Sequence, residues 1–338
     1  EGYRVDGNRK VRSLSIAPKR IPPEMPPLLA LEDGKPVIVT PPVESASSLT
    51  HPVVLKSSNQ LAFIGEEGDL VFWDREETNR LKVNAVPDAR ILIGESEKLL
   101  FLTDPTTGYD HGVLGDDIEA KSVSLVETDG KPSLISKVTI PDGSVVEGTA
   151  PIWADLNADG KKEIIVTVSN RDKGAKIMAY SESGEVVGSG PSVGQGYRWR
   201  HQLAVAPFGP KEEIELVDVL TPHIGGRVEH YRLNGDSLEI VATKNRFTSH
   251  EIGSRNLDMA MAGDFDGDGE LKLLLPSESW EEFGGLRRTE SGMEVAWRVP
   301  IGDKLTTNID TATTTEGELA VAVGSEGGRL RIWLPKKN

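Results

Sequence analysis

The feature that most constrains this chain is an internal repeat of about fifty residues. Residues 65–73 and 324–333 each combine a Gly-rich turn with an alternating strand that ends on Trp. A second motif, at 161–166, recurs at 211–216 and again at 270–275. Repeats of this length indicate equivalent structural units that each bury one face against the next unit.

Within each unit, apolar residues alternate with period two, and the turns are rich in Gly, Asn, Asp and Pro. Four short strands per unit predict an all-β fold, a β-propeller with four-stranded blades. Seven blades fit best and six are the alternative, while a pair of β-sandwiches is the competing fold. The units begin near residues 50, 88, 148, 201, 254 and 305, with a shorter one at 27–49.

The predicted organisation is a single propeller domain at 27–338, preceded by an N-terminal extension at 1–26. The last unit lacks an outer strand after Trp333, and the segment 11–16 has the alternation to supply that strand and close the ring. Closure would remove the exposed sheet edges that invite aggregation. The Pro-rich stretch 18–27 is then a rigid connector.

Charge and composition exclude several partners. The chain carries a net charge of −15, so we expect no nucleic-acid partner. No apolar run reaches the roughly eighteen residues of a spanning helix, so we expect no membrane span. The absence of cysteine excludes disulfides and thiolate chemistry. The first residue, Glu1, is not Met, which fits either a removed export signal or a trimmed chain.

Two acidic loops place oxygen-bearing side chains at alternate positions. In the first loop these are Asp155, Asn157, Asp159 and Glu163, at positions 1, 3, 5 and 9. In the second loop they are Asp264, Asp266 and Asp268. Such spacing lets a loop wrap a hard cation, and Gly160 permits the tight turn. A solvated acidic turn without metal is the alternative interpretation.

These loops, with their lead-ins at 151–154 and 261–263, resemble the acidic loop of FG-GAP and VCBS repeats, as in integrin-type propellers. The likeness is distinct in two units and diffuse over the rest of 50–338. It implies structural calcium. The implied ligands of the first site are Asp155, Asn157, Asp159, Lys161 through its carbonyl, and Glu163. Those of the second are Asp264, Asp266, Asp268 and Glu270 through its carbonyl. The second loop departs from the family pattern, because Lys272 stands where a carboxylate is expected.

Five of the six histidines are predicted to lie on one face of the propeller, opposite the acidic loops. Connections that enter the first strand of a blade, and those between its second and third strands, open onto that face. The histidines in such connections are His51, His111, His201, His223 and His250. The side chains expected beside them are Tyr109, Asp110, Tyr197, Arg198, Trp199, Arg200, Arg255 and Trp280.

Aromatic rings stack on sugar faces, and guanidinium groups pair with carboxylate or sulfate. We therefore predict an exported binding or scaffold module for a glycan or protein ligand, located in the periplasm, at the cell surface or in the medium. The alternative is a polysaccharide lyase or another sugar-active enzyme. Its candidate acid–base residues would be His111, His201, His250 and Tyr197. Two other interpretations stay open: three neutral imidazoles could hold a transition metal, or the histidines could simply bridge neighbouring blades.

Overall fold

The structure is a computed structural model that describes residues 2–5, 10–14, 25–26, 28–32, 35–42, 44–313 and 317–334. These residues are all-β, as predicted: strands joined by turns, no α-helix, and one 3₁₀ turn at Glu95–Glu97. We also find among them no helix that could span a bilayer. Most of the expected connector at 18–27 lies outside the described residues.

The backbone forms two compact units. Unit 1 comprises Glu1–Pro105 and Ser124–Ile135, and unit 2 comprises Thr106–Val123 and Ser136–Asn338. The organisation predicted from the sequence, with an extension at 1–26 and a single domain at 27–338, stays a prediction.

In unit 1, one sheet contains four antiparallel strands in chain order, β5 to β8, and the other strands form pairs. The strands are β1 (Gly2–Val5), β2 (Val11–Leu14), β3 (Leu28–Glu32), β4 (Lys35–Val39), β5 (Val53–Leu55), β6 (Gln60–Ile64), β7 (Asp69–Trp73), β8 (Thr78–Lys82), β9 (Leu92–Ile93) and β10 (Leu99–Thr106).

The segment expected to close the ring lies in β2. This strand pairs with β1, with Val11 opposite Val5. Residues 15–16, the end of the expected closing strand, lie outside the described residues. The number of blades and the closure of the ring therefore stay predictions.

Unit 2 contains a four-stranded antiparallel sheet, β22–β25, and a three-stranded sheet, β26–β28. Its other strands belong to a larger sheet that includes two antiparallel runs in chain order, β14–β17 and β18–β21. A single parallel pair joins β17 to β21, and β13 pairs with β15. The strands β11 (Glu119–Glu127) and β12 (Ser133–Thr139) run across the boundary between the units. The others are β13 (Ser144–Val146), β14 (Ile152–Ala154), β15 (Glu163–Asn170), β16 (Lys176–Tyr180), β17 (Val186–Ser189), β18 (Arg200–Ala206), β19 (Glu215–Leu220), β20 (Arg227–Asn234), β21 (Ser237–Asn245), β22 (Met261–Gly263), β23 (Lys272–Pro276), β24 (Glu282–Thr289), β25 (Gly292–Pro300), β26 (Asp310–Thr313), β27 (Leu319–Ser325) and β28 (Arg329–Trp333).

The repeat explains these sheets. A run of four antiparallel strands in chain order begins close to residues 50, 148, 201 and 254, where the sequence places successive units. Second strands such as β15 and β23 are buried on both faces, which is why they consist of continuous apolar runs. The fourth strand β25 instead alternates between exposed and half-buried residues. Each sheet therefore presents two apolar faces along its inner strands.

The core of unit 2 lies between neighbouring sheets. Val217 and Val228 from β19 and β20 pack with Phe247, Leu273 and Leu286 between the sheets β18–β21 and β22–β25. All five side chains are at most 2% exposed. Full burial of each such side chain stabilises the fold by roughly 1.5–3 kcal/mol. This packing fixes the strand ends from which the loops of the candidate site extend.

Candidate functional site

Four loops of unit 2 carry most of the candidate residues. They are 107–118, 190–199, 221–226 and 246–260. Backbone hydrogen bonds join them in pairs: the Gly253 N–H donates to the Val113 carbonyl at 2.8 Å, and the Thr221 N–H donates to the Trp199 carbonyl, also at 2.8 Å. Loops that are far apart in sequence are thus held together by their own backbones.

Four histidines lie in continuous ring contact. The ring centres of His111 and His223 are 6.2 Å apart, those of His223 and His250 are 6.3 Å apart, and those of His250 and His201 are 6.0 Å apart. Trp199 stacks on His201 at 4.8 Å and presents its edge to His250. We call these five residues the histidine cluster. The structure thus brings together four of the five histidines that the sequence places on one face.

Two members of the cluster are tethered through Nδ1. The His111 Nδ1 contacts the carboxylate of Glu147, which is buried and also accepts a hydrogen bond from the Ser169 hydroxyl. The His201 Nδ1 lies 2.8 Å from the hydroxyl of Ser249. These contacts fix the orientations of both rings.

Each of the other two histidines has a buried ring nitrogen without a hydrogen-bond partner among the described residues. In His250, Nε2 donates to the Ser254 carbonyl at 2.8 Å, so Nδ1 carries a lone pair. This Nδ1 and the Nδ1 of His223 are both buried and have no hydrogen-bond partner among the described residues. Burial lowers the pKa of His250 to about 4, and burial together with His111 lowers the pKa of His223. Both rings are therefore neutral at neutral pH.

A pocket of about 720 Å³ opens beside the cluster and includes His223 in its wall. Its charged members are Arg198, Arg200 and Arg227, and Tyr197 and Ile224 add exposed ring and aliphatic surface. The exposed Arg198 has no ion pair or hydrogen bond to a described residue, whereas Arg227 pairs with the buried Glu229. Arg198 therefore supplies the unpaired positive charge of this wall, in a chain with a net charge of −15.

Beneath the pocket, Arg200 belongs to a buried ion cluster. Its Nη1 lies 3.0 Å from Asp218 and also contacts Glu229 and the Tyr231 hydroxyl. Burial raises the pKa of Asp218 to about 7, although the Arg200 charge opposes the shift. Burial also acts on Glu229, but hydrogen bonds from Tyr231 and Arg200 lower its pKa. Arg200 is therefore mainly an internal counter-ion that reaches the pocket wall.

The tyrosines expected at the site form a rim. Tyr109 is buried, and its ring centre is 5.4 Å from that of Tyr197. The Tyr197 hydroxyl donates to Asp110 at 2.6 Å, and this hydrogen bond raises the pKa of Tyr197. Burial, together with the charge of Glu147, raises the pKa of Tyr109. Both phenols consequently lose a proton less readily than a free tyrosine does.

Three residues expected at the site have other surroundings. His51 belongs to unit 1, where its backbone forms a β-bridge with Arg90. Arg255 forms an ion pair with Asp116. Trp280 packs against a core cluster of the last two sheets that includes residues 259 and 301.

The first acidic loop folds around its own side chains. The Asp155 carboxylate accepts from the N–H groups of Asp159 and Gly160 at 3.1 and 2.9 Å. The Asn157 Oδ1 accepts from the same Asp159 N–H at 2.9 Å, and the Asp159 carboxylate accepts from the Lys161 N–H at 2.8 Å. This turn gathers two carboxylates and an amide oxygen at one end of the loop.

Glu163 approaches the loop from the start of β15, but the ligand atoms of Asp155, Asp159 and Glu163 are not all within 4.8 Å of one another. Glu163 is 3% exposed, and its carboxylate accepts from the Leu156 N–H at 2.8 Å. Burial raises the pKa of Glu163, and the negative charges of Asp159 and Asp155 raise it further. No described residue forms a salt bridge with these three carboxylates. Their uncompensated charge fits a hard cation at the first loop.

The second acidic loop differs because it contains a cation of its own. Lys272 is fully buried, and its Nζ donates to Asp266 at 2.7 Å, to Asp268, and to the Glu270 carbonyl at 3.3 Å. The Asp264 carboxylate instead accepts hydrogen bonds from the backbone N–H groups of residues 267 and 269. The ligand atoms of the three aspartates lie within 4.8 Å of one another, but an ammonium already bridges two of them. An ammonium therefore competes with any metal ion for two of the three aspartates, and calcium at the second loop stays a prediction.

Sequence reasoning missed Glu147 and Arg227. Glu147 directly follows the apolar strand β13, and a carboxylate at the end of such a strand was a usable signal. Arg227 follows the Gly-Gly pair after His223, where the chain re-enters the sheet. Both residues act through side chains that only the fold brings to the cluster or the pocket.

Comparison with known proteins adds context to the fold. No family model matches the chain, and no curated protein matches it. Solved structures similar to it include the Dos1 propeller (10% identity, covering 86% of this chain and 71% of that chain, TM-score 0.49). Others are BBS1N in complex with ARL6DN (11%, 86% and 77%, TM-score 0.47) and the rhamnogalacturonan lyase YesW (12%, 81% and 56%, TM-score 0.46). At TM-scores below 0.5, none of their properties is transferred to this chain.

Proposed function

We propose that this chain is an exported binding module of the propeller type whose pocket captures an anionic glycan. The observation that carries the proposal is Arg198, an exposed guanidinium without an ion pair to a described residue, in the wall of a pocket of about 720 Å³. A guanidinium pairs with carboxylate or sulfate through two parallel hydrogen bonds. The carboxylate or sulfate of the ligand would then be the counter-ion of Arg198.

The size and lining of the pocket favour a glycan over a protein partner. Small-ligand sites typically enclose about 300–1,000 Å³, and this pocket falls in that range. Tyr197 is 41% exposed and Ile224 is 73% exposed, so both offer apolar surface to the face of a sugar ring. Arg198 would then select uronic acids or sulfated sugars over neutral ones.

The proposal extends to the architecture around the pocket. The fold would be a ring of seven blades, closed by the N-terminal segment and related to FG-GAP/VCBS repeats. The chain would act at the cell surface, in the periplasm or in the medium. The first acidic loop would hold Ca²⁺ through Asp155, Asn157, Asp159, Glu163 and the Lys161 carbonyl. The ion would stabilise the loop between β14 and β15 and take no part in ligand binding.

The test is calorimetric titration of the full chain with oligogalacturonate and with a neutral oligosaccharide of equal length. We expect binding of the acidic ligand only, and weaker binding as salt rises. Arg198→Ala should weaken it roughly ten- to a hundredfold, the loss of one charge-assisted contact. The matched control is Arg329→Ala, since Arg329 is 63% exposed in the last sheet and pairs with Asp303. Equal binding of both sugars, or equal loss in both variants, would contradict the proposal.

A lyase is the second candidate, and one observation favours it. His111 is oriented by the buried carboxylate of Glu147, an arrangement that suits a general base. The raised pKa values of Tyr109 and Tyr197 argue against a phenolate base at neutral pH. The same oligogalacturonate solution can be followed by ultraviolet absorbance of unsaturated products. Product that forms with the native chain and disappears with His111→Gln would establish the lyase.

A further inference from the structure

We propose that His223, His250 and His111 bind one transition-metal ion of the zinc or copper type, a site separate from the acidic loops and independent of the glycan proposal. Two neighbouring rings, His223 and His250, each have a buried Nδ1 without a hydrogen-bond partner among the described residues, and the third ring, His111, contacts a carboxylate. Imidazole nitrogen is a common ligand for zinc, copper and nickel.

The first step concerns the unpartnered nitrogens. His250 is 0% exposed, and its Nε2–H is committed to the Ser254 carbonyl, so its Nδ1 can only accept. The Nδ1 of His223 is also buried without a partner. A buried polar atom left without a hydrogen-bond partner destabilises the fold. Two such atoms on adjacent rings indicate a shared electrophile, which a cation supplies.

The second step concerns the groups behind the rings. Metal-binding histidines usually donate the other ring N–H to a carbonyl or a carboxylate, which fixes the tautomer. His250 has this arrangement through Ser254, and His111 has it through Glu147, which is itself held by Ser169. The Nε2 of His111 is then its available ligand atom. Both outer partners occupy the positions expected of supports for metal ligands.

The third step concerns whether the ring separations allow one ion to bind two neighbouring imidazoles. A Zn–N bond of about 2.0–2.1 Å allows an ion between two imidazoles to hold their ring centres at most roughly 6.4 Å apart. The separations of His223 from His111 and from His250, 6.2 and 6.3 Å, fall within this limit, whereas His111 and His250 make no ring contact with each other. A tetrahedral site requires the rings to approach by about 1 Å more. Only the three aspartates of the second acidic loop, within the described ranges, already have all ligand atoms within 4.8 Å. Binding would therefore draw the histidines together.

A buried water that forms hydrogen bonds with the Nδ1 atoms of His223 and His250 is the competing explanation for these unpartnered nitrogens. The experiment that separates them uses the full chain, cleared of metal with a chelator and kept in excess Ca²⁺ so that the acidic loops are not counted. Zn²⁺ is titrated by calorimetry, and Co²⁺ is followed by its visible absorption. We expect one ion per chain and an absorption spectrum typical of nitrogen ligands.

His223→Gln and His250→Ala should each weaken Zn²⁺ binding at least roughly tenfold, a loss at least as large as removal of a supporting residue causes. His223 is only half-buried, so its variant keeps the test valid if His250→Ala fails to fold. His51→Ala, in unit 1, is the control and should bind Zn²⁺ as the native chain does. Absence of Zn²⁺ binding to the native chain, or binding unchanged in both cluster variants, would overturn the proposal.

Discussion

The side-chain nitrogen of Lys272 lies 2.7 Å from Oδ1 of Asp266 and also contacts Asp268, at the centre of an acidic loop. Burial disfavours the charged ammonium, but the hydrogen bonds that it donates to Asp266 and Asp268 overcome this effect and raise the pKa of Lys272. The two acidic loops of unit 2 therefore differ in one decisive position. Glu163 in the first loop adds a negative charge where Lys272 in the second loop adds a positive one.

This difference predicts that Lys272→Glu converts the second loop into a calcium site. The native chain should gain thermal stability from Ca²⁺ through the first loop alone. The variant should be less stable than the native chain in chelator, because it replaces an ion pair with carboxylate repulsion, and should recover in Ca²⁺. Binding of a ligand to the folded state at one hundred times its Kd stabilises by about 2.7 kcal/mol. Differential scanning calorimetry with chelator or calcium measures both states.

The reciprocal change, Glu163→Lys, serves as the matched control. An ammonium at that position can contact Asn157 and Asp159, the counterparts of the Asp266 and Asp268 that Lys272 contacts, so the melting temperature should become independent of Ca²⁺. If the native chain gains no stability from Ca²⁺ at all, the assignment of the first loop is wrong. If Glu163→Lys still responds to Ca²⁺ as the native chain does, another site binds the ion.

Sequence patterns predict the strand repeats and the grouping of histidines because both depend on local order. The period-two alternation sets each strand, and a histidine at the same place in successive units is carried to a related loop. The pairing of Glu147 with His111 spans 36 residues. Arg200 meets Glu229 across two strands. Contacts of this kind depend on register and side-chain reach, which no local pattern encodes.

The turn that carries His223 depends on a close approach of two backbones. A Cβ on Gly226 would lie 1.9 Å from the Phe247 carbonyl oxygen, whereas a Cβ on Gly225 would meet nothing within 4 Å. Gly226→Ala should therefore destabilise the fold by about 1–3 kcal/mol through overpacking. Gly225 has φ of +72°, so Gly225→Ala should cost only about 1–2 kcal/mol from left-handed strain.

Chemical denaturation of the two glycine variants gives the comparison directly. Gly226→Ala should also weaken oligogalacturonate binding, because the shift moves residues 221–226 in the pocket wall. Gly225→Ala should retain that binding. Equal stability of the native chain and Gly226→Ala would mean that the backbone at residue 247 moves freely, contrary to the packing described here.

Arg288 from β24 holds a buried carboxylate of β19. Its Nε lies 2.9 Å from Glu215, which also accepts from His230 and Arg232. Burial alone would raise the pKa of Glu215, but these hydrogen bonds lower it to about 2. Arg288→Ala should destabilise the fold at neutral pH by about 3–5 kcal/mol, since it leaves a buried charge with fewer partners.

The sign of the pH dependence follows from that pKa. A carboxyl group with a lowered folded-state pKa stabilises above its unfolded value of 4.5, and this contribution is lost as the pH falls towards about 2. The free energy of unfolding of the native chain should therefore fall more steeply than that of Arg288→Ala between pH 4.5 and pH 2. Urea denaturation at several pH values measures both slopes, and parallel slopes would contradict the role of Arg288.

Asp218 should have the opposite dependence. Burial raises its folded-state pKa from 3.8 to about 7, so between these values the folded chain holds a proton that the unfolded chain has released. Stability should then fall as the pH rises through this window, by up to about 1.4 kcal/mol per pH unit.

Asp218→Asn keeps a neutral group beside Arg200 and leaves Glu229 as its counter-ion. The variant should match the native chain near the acidic end of the window and exceed it in stability above pH 7. Other titrating groups are common to both proteins, so the difference between their urea unfolding free energies isolates Asp218. A variant that is less stable than the native chain at pH 8 by the same amount as at pH 5 would mean that Asp218 is ionised throughout, with Arg200 able to balance both carboxylates.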